Sequence, residues 1–299
     1  MVDFSNTMLV THRACWDGSA AAVLFMNVGG RKENIIFSNP DHASVDEIVK
    51  DLYYRWSGEI LIVDLSVSED LAELLKTRNN VLLFDHHKSA EPLCKHKFCT
   101  IDMHNCGSKL FYNWLLSLGF DSVILKYKEF VDNVDDIDRW QHNISSSKEV
   151  GSLHGILGSN LFIERFMKNA SVGLTNEEFY VMNLDNAKYK DFLQDKKSAV
   201  MVRTKKIDDI DYRIGFVFAG GAYRSRLGND LCNDSELNID AVIMVSNDFI
   251  SMRSRGSVDV SKLAKKYGGG GHVSASGCSV AAIIGKNILE EVANNLKLE

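Results

Sequence analysis

Three short apolar runs in the first third of the chain each stop at a residue that binds metal or moves protons, and this punctuation constrains the fold most. Met8-Leu9-Val10-Thr11 ends at His12, with Cys15 and Asp17 just beyond. Ile60-Leu61-Ile62-Val63 ends at Asp64, and Val81-Leu82-Leu83-Phe84 ends at Asp85-His86-His87. Runs of this length read as buried strands. Helical patterns separate them, at about 18–27, 44–55 and 68–76, with a further strand at 34–37. That alternation predicts an α/β fold with a mostly parallel, doubly wound sheet, whose ligands sit beyond the carboxyl ends of the strands. His12, Asp17, Asp64, His86 and His87 then share one edge of one sheet.

Gly107-Ser108 opens an amphipathic segment read as a helix over 109–118, with Ser108 as its cap. Residues 145–200 contain no proline and carry apolar positions at helical spacing, which predicts a helical connector. Strands are expected after it at 200–202, 207–214, 216–219, 241–246 and 249–253, forming a second, smaller α/β domain. The boundary is expected near 195, giving domains of 1–195 and 196–299.

Composition narrows the class. A chain with 45% apolar and 25% charged residues is globular rather than disordered. Its net charge of −6 argues against a surface that coats nucleic acid, but leaves room for a basic cleft or bound cations that hold a phosphate. No apolar run reaches the roughly 18 residues of a spanning helix, and no signal peptide is visible, so a cytoplasmic protein without membrane contact is expected. Six irregularly spaced cysteines suit free thiols better than a disulfide framework. Cys94, Cys99 and Cys106 lack the paired spacing of a structural zinc site.

His and Asp together, without a thiolate cluster, suit Mn²⁺, Mg²⁺ or Co²⁺ better than soft ions. With an aspartate from the segment 134–140, the set suffices for two ions about 3.5–4 Å apart bridged by one carboxylate. Two-metal sites act mainly on phosphate esters, where they make a nucleophile from a shared water near neutral pH. Any one of these residues alone has an ordinary reading, since strand-end aspartates cap helices and lone histidines bond to loops. Three strand ends in succession make coincidence a poor account. Trp140 is expected as core or as a lid beneath the metals.

A second element lies near the end of the chain. Gly268-Gly269-Gly270-Gly271 lets backbone N–H groups approach an anion, and His272 adds a donor beside them. Arg253 supplies a fork of donors suited to phosphate, with Arg255 as the alternative.

Thr11-His12, Asp17-Gly18-Ser19-Ala20-Ala21, Val63-Asp64, Asp85-His86-His87 and Asp136-Ile137-Asp138-Arg139-Trp140 together resemble motifs I to IV of the DHH phosphoesterase superfamily. Ser251-Met252-Arg253-Ser254-Arg255, Val258-Asp259-Val260-Ser261, the glycine run with His272, and Ala275-Ser276-Gly277 resemble its companion DHHA1 domain. The resemblance implies that His12, Asp17, Asp64, His86 and Asp136 are metal ligands with Asp64 bridging, and that His87 faces the scissile phosphate. Asp64 and His87 would be the catalytic pair. Asp138 would orient a histidine or hold Arg139. Gly269, Gly270, Gly271, His272, Arg253 and Arg255 would bind substrate. Cys15 departs from the commonest pattern, standing where the first of two aspartates falls. It is either a thiolate ligand that shifts metal preference and pH dependence, or a small packed residue with water in the ligand's place.

The resemblance implies an enzyme that uses two divalent ions, Mn²⁺ foremost, to cut mononucleotides from short single-stranded oligonucleotides or linear dinucleotides. A phosphomonoesterase or polyphosphate hydrolase acting on a compound such as a nucleoside bisphosphate is the alternative. A non-catalytic nucleotide sensor is a third reading, resting only on Cys15. Monomer and homodimer are both open.

Overall fold

The computed structural model describes residues 2–221, 223–285 and 288–295. The chain forms two compact units, Met1–Met182 and Asn183–Glu299.

The first unit is built on five parallel strands, β1 (Thr7–His12), β2 (Ile35–Ser38), β3 (Glu59–Val63), β4 (Val81–Asp85) and β5 (Cys99–Ile101), in the order β2-β1-β3-β4-β5. Helices α1 (Trp16–Asn27), α2 (His42–Arg55), α3 (Glu69–Leu75) and α4 (Gly107–Ser117) link or follow these strands. The short α5 (Asp121–Ile124), then α6 (Lys128–Asp138) and α7 (Ser147–Lys168), complete the layer. Successive strand side chains point to opposite faces, so Leu61 and Val63 join the core of α1, α4, α6 and α7, while Ile60 and Ile62 join that of α2 and α3. The sheet is thus covered on both sides. Each fully buried aliphatic side chain in it contributes roughly 1.5–3 kcal/mol.

Helix α1 is buried from Asp17 through Phe25. Its Ala20-Ala21-Ala22 run is fully buried, and the Asp17 carboxylate one turn earlier is out of contact with solvent as well. Helix α7 is broken at Gly158, whose φ is +69°. The helical connector expected over 145–200 is α7 followed by α8 (Asn176–Ser198). The division between the two units falls inside α8, N-terminal to residue 195.

The second unit holds a six-stranded mixed sheet in the order β10-β11-β9-β8-β7-β6. Its strands are β6 (Met201–Ile207), β7 (Ile210–Phe218), β8 (Ala241–Val245), β9 (Phe249–Ser254), β10 (Gly270–His272) and β11 (Ala275–Ser279), and only β7 and β8 run parallel. The strands expected at 207–214 and 216–219 are one strand, β7. Asp208 and Asp209, both at positive φ, make the two-residue turn that joins it to β6. Helix α9 (Arg224–Asn233) packs its Leu227 and Leu231 with Val242 and Met244 of β8. Helix α10 (Val260–Lys265) packs Val260 and Ala264 against the opposite face, with α11 (Ala281–Ile284) and α12 (Ile288–Asn295) closing the described chain. No helix among the described residues is long and apolar enough to cross a membrane.

Candidate active site

The sheet order reverses direction between β1 and β3, and a crevice opens at the carboxyl ends of strands flanking such a switch point. His12 and Asp64 occupy those ends, with His12 Nδ1 3.2 Å from Asp64 Oδ2. Asp64 takes a left-handed φ of +60°, a conformation few side chains adopt without cost. From β4, His86 Nε2 lies 3.1 Å from Asp138 Oδ2 and 3.5 Å from Asp64 Oδ1. His87 donates through Nδ1 to Asp85 Oδ1 at 2.7 Å, and the His86 amide donates to the same oxygen at 2.8 Å. Sequence reasoning gave Asp85 no role of its own. In the fold it is wholly buried and sets the orientation of both histidines' segment.

Two glycines make this assembly sterically feasible. A Cβ on Gly18 would overlap the His12 carbonyl, so the first turn of α1 crosses the end of β1 only because residue 18 has none. A Cβ on Gly107 would lie 2.7 Å from Asp64 N. The amides of Gly107 and Ser108 donate to the two oxygens of Asp17 at 2.8 Å each. Ser108 is therefore not the helix cap expected from the sequence. Cys106 holds the cap position without a side-chain bond, and the orphan amides of α4 are satisfied by the anion of Asp17 instead.

The acidic run on α6 splits into three separate tasks. Asp135 binds Arg139 through two bonds of 3.0 and 2.9 Å and accepts the Cys106 amide. Asp136 accepts the amides of Asn143 and Ile144 at 2.8 and 3.2 Å, fixing the loop after the helix. Asp138 faces the histidines. Asp136 is the ligand expected from the sequence, with Asp138 in support, but it is Asp138 whose carboxylate lies among the histidines. Residues two apart on a helix point about 200° away from each other, so only one of them reaches the cluster. Arg139 is held by Asp135, not by Asp138. Trp140 is not core: it is 38% exposed, with its ring edge-on to His142 at 4.6 Å.

His12, Cys15 and Asp64 each offer a ligand atom within 4.8 Å of one another. So do Asp17, His86 and Asp138, and so do Asp64, Asp85, His86 and His87. Asp64 and His86 each belong to two of these groups, so the three merge into one cluster. Its electrostatics are those of crowded anions. Burial, then the charges of Asp64 and Asp138, pushes Asp17 up to about 7 despite its two amide donors. Burial opposes ionisation of Asp64 too, but hydrogen bonds from His12 and His86 outweigh it and hold that carboxyl far below the usual range. Burial works against the cation of His87, and the charge of Asp85 overcomes it to push the imidazole up to about 9. Burial, followed by Asp64, pushes the Cys15 thiol well up. The Asp85 Oδ2 atom is buried with no hydrogen-bond partner among the described residues. Crowded buried carboxylates, imidazoles and an orphaned carboxylate oxygen form a donor set that fits divalent cations.

In the second unit the glycine run leads from the turn after α10 into the edge strand β10, which pairs with β11 so that Gly271 faces Ser276 and His272 faces Ala275. A Cβ on Gly269 would overlap the Gly277 carbonyl, and Gly271 has a φ of +132°. Arg253 on β9 donates to Ser225 Oγ at 2.9 Å and to its neighbour's carbonyl, and burial lowers its pKa to about 10. Among the described residues no carboxylate forms an ion pair with it. Arg255 is exposed.

Comparison with known proteins places these features. Residues 225–298 match the DHHA1 domain. The chain is 29% identical over 241 residues to the oligoribonuclease NrnB of Bacillus subtilis, covering 74% of this chain and 59% of that relative's length. The fold is shared with the manganese complex of RecJ from Thermus thermophilus at a TM-score of 0.58 and 13% identity, over 91% of this chain and 49% of that one. It is shared also with a pGpG-specific phosphodiesterase from Vibrio cholerae at 0.51 and 15% identity, over 96% and 95%. A DHHA1 match over residues 225–298, behind a parallel sheet whose switch point carries Asp64 and the Asp85-His86-His87 triplet, makes the chain similar to proteins of the DHH–DHHA1 phosphoesterase superfamily.

Proposed function

We propose that the protein is a divalent-metal-dependent phosphodiesterase that hydrolyses short oligonucleotides or linear dinucleotides to mononucleotides. The observation that carries the reading is Asp64, whose carboxylate belongs at once to the group of His12 and Cys15 and to the group of Asp85, His86 and His87. A carboxylate shared in this way would let the cluster hold two divalent ions rather than one. His12, Cys15 and Asp64 would hold one ion, and Asp17, Asp64, His86 and Asp138 the other. When bound, such a pair supplies an acidified water and neutralises charge on a phosphoryl group. The chain's own residues do the rest. Asp85 fixes the ring of His87 so that it addresses the scissile phosphate, and the buried walls of β1, β3 and β4 exclude bulk water.

The relatives' names support the substrate class, since one is an oligoribonuclease and another a phosphodiesterase of a linear dinucleotide. Residues 1–195 then serve as the catalytic domain. Residues 196–299 serve as the substrate-holding domain, with Gly269, Gly270, Gly271 and His272 presenting donors to a terminal phosphate and Arg253 or Arg255 adding charge. Mn²⁺ is the best single choice of ion for a set that mixes imidazole with carboxylate.

The test is hydrolysis, with Mn²⁺ present, of a 5′-phosphorylated dinucleotide, a longer single-stranded DNA, a nucleoside 3′,5′-bisphosphate and polyphosphate. Preference for the dinucleotide is expected. Turnover of the bisphosphate or polyphosphate alone would overturn the reading.

A further inference from the structure

Asp138 closes α6, where the helix dipole is unfavourable to an anion. One of its oxygens, Oδ2, lies 3.1 Å from His86 Nε2. The other, Oδ1, accepts the indole Nε1–H of Trp16 at 2.8 Å. Cys15 Sγ is 3.9 Å from that same oxygen. The cation nearest in sequence, Arg139, is turned away by its paired bonds to Asp135.

The indole is chemically suited to this place. It is a donor only, with one N–H and no proton to lose in the working range. It therefore occupies one oxygen of Asp138 without cancelling the charge, which a lysine or arginine would do. It also stops the carboxylate from rotating or chelating through both oxygens. The ring itself is braced. The ring lies beside α7 at Gly151, where a Cβ would stand 4.0 Å from Trp16 Cε3, and it meets His154 edge-on at 6.2 Å. His154 Nε2 is 3.1 Å from Ser19 Oγ, which donates to the Cys15 carbonyl at 2.7 Å. Burial pulls His154 down to about 4, so it stays neutral and adds no charge behind the site. One continuous set of contacts thus runs from the broken helix α7 through Trp16 to Asp138.

We infer that Trp16 is a positioning residue for the metal centre: its indole N–H holds Asp138 Oδ1, so that Asp138 serves a cation through Oδ2 alone, beside His86. The inference rests on the cluster being a metal site. Removing a hydrogen-bonding partner of a ligand typically weakens metal binding about 10–100-fold.

The experiment is a titration of the full chain with Mn²⁺, followed by free-ion EPR and by the rise in melting temperature that the ion produces. Each protein is compared with its own metal-free melt, so a variant that is less stable still reports metal binding. Trp16→Phe keeps the ring and loses the N–H. The expected result is weakening of one class of Mn²⁺ site by about ten-fold or more, a lowered kcat and an unchanged KM for the dinucleotide. In an Asp138→Ala background Trp16→Phe should weaken Mn²⁺ no further, because the two residues act as one unit. An isotherm unchanged by Trp16→Phe, or a full additional loss in the Asp138→Ala background, overturns the inference. Parent protein that binds no Mn²⁺ would instead sink the metal reading of the whole cluster.

Discussion

Gly107→Ala puts one methyl group where α4 meets the turn of Asp64. A Cβ there would stand 2.7 Å from Asp64 N, 2.9 Å from its Cα and 3.0 Å from its Cβ. Ordinary non-bonded contacts lie at about 3.5–4.0 Å, so the two segments must part by roughly 0.5–1 Å. Neither side is a flexible side-chain tip: one is the N-terminus of a packed helix, the other a backbone already at a φ of +60°. Overpacking of this kind costs about 1–3 kcal/mol. The same retreat stretches the Gly107 amide's bond to Asp17 and moves Asp64 against His12 and His86. Displacement of a reacting group by about 1 Å costs roughly 10²-fold in rate. Urea unfolding measures the first loss, and kcat/KM on a 5′-phosphorylated dinucleotide measures the second. Gly155→Ala is the control, since nothing lies within 4 Å of a Cβ at that exposed position of α7. It should stabilise by about 0.5–1 kcal/mol and leave activity alone. A Gly107→Ala protein with parental stability and parental kcat/KM would refute the close approach and the argument built on it.

Asp136→Ala should lower the melting temperature by loosening the loop at Asn143 and Ile144 while keeping Mn²⁺ affinity, and Asp138→Ala should do the reverse; Mn²⁺ titration and thermal melts of both variants decide between them. His154 is held neutral by burial, with a folded pKa of about 4 below an unfolded value near 6.5. Its contribution is therefore complete above about pH 6.5 and is lost as the pH falls toward 4. Roughly 2 kcal/mol should disappear between pH 7 and pH 5, and His154→Phe should flatten that part of the urea stability profile. Cys15→Asp replaces a soft donor by a hard one and should move the optimum from softer ions toward Mg²⁺, read from activity across a metal series. His272→Ala should raise KM for a dinucleotide several-fold and spare hydrolysis of a small generic phosphodiester; equal losses on both would refute a substrate-end role.

The sites legible in the sequence were those whose chemistry is local. Apolar runs that stop at His12, Asp64 and Asp85 foretold strand ends, because a buried run followed by an ionisable group has few places to go. The alternation of runs and helices foretold the parallel sheet for the same reason. Other features depended on partners far along the chain. Asp85 looked like one letter of a triplet until the fold closed its carboxylate over the His87 ring. Ser108 lost its expected capping role because the acceptor for the α4 amides is Asp17, 90 positions away for Gly107. The turn at Asp208-Asp209 lay hidden inside an expected strand because the flanking residues carry the same apolar pattern on either side of it.

The amino-acid sequence by itself determined which residues could form a metal and phosphate site and which edge of which sheet would carry them, since hydrophobic periodicity and donor chemistry are properties of short segments. Only the tertiary structure decided that Asp138, not Asp136, enters the cluster, that Arg139 is kept from it, and that Trp16 holds its outer oxygen. Those outcomes turn on the rotation of α6 about its axis against α1 and β4, an angle fixed by packing between elements far apart in the chain.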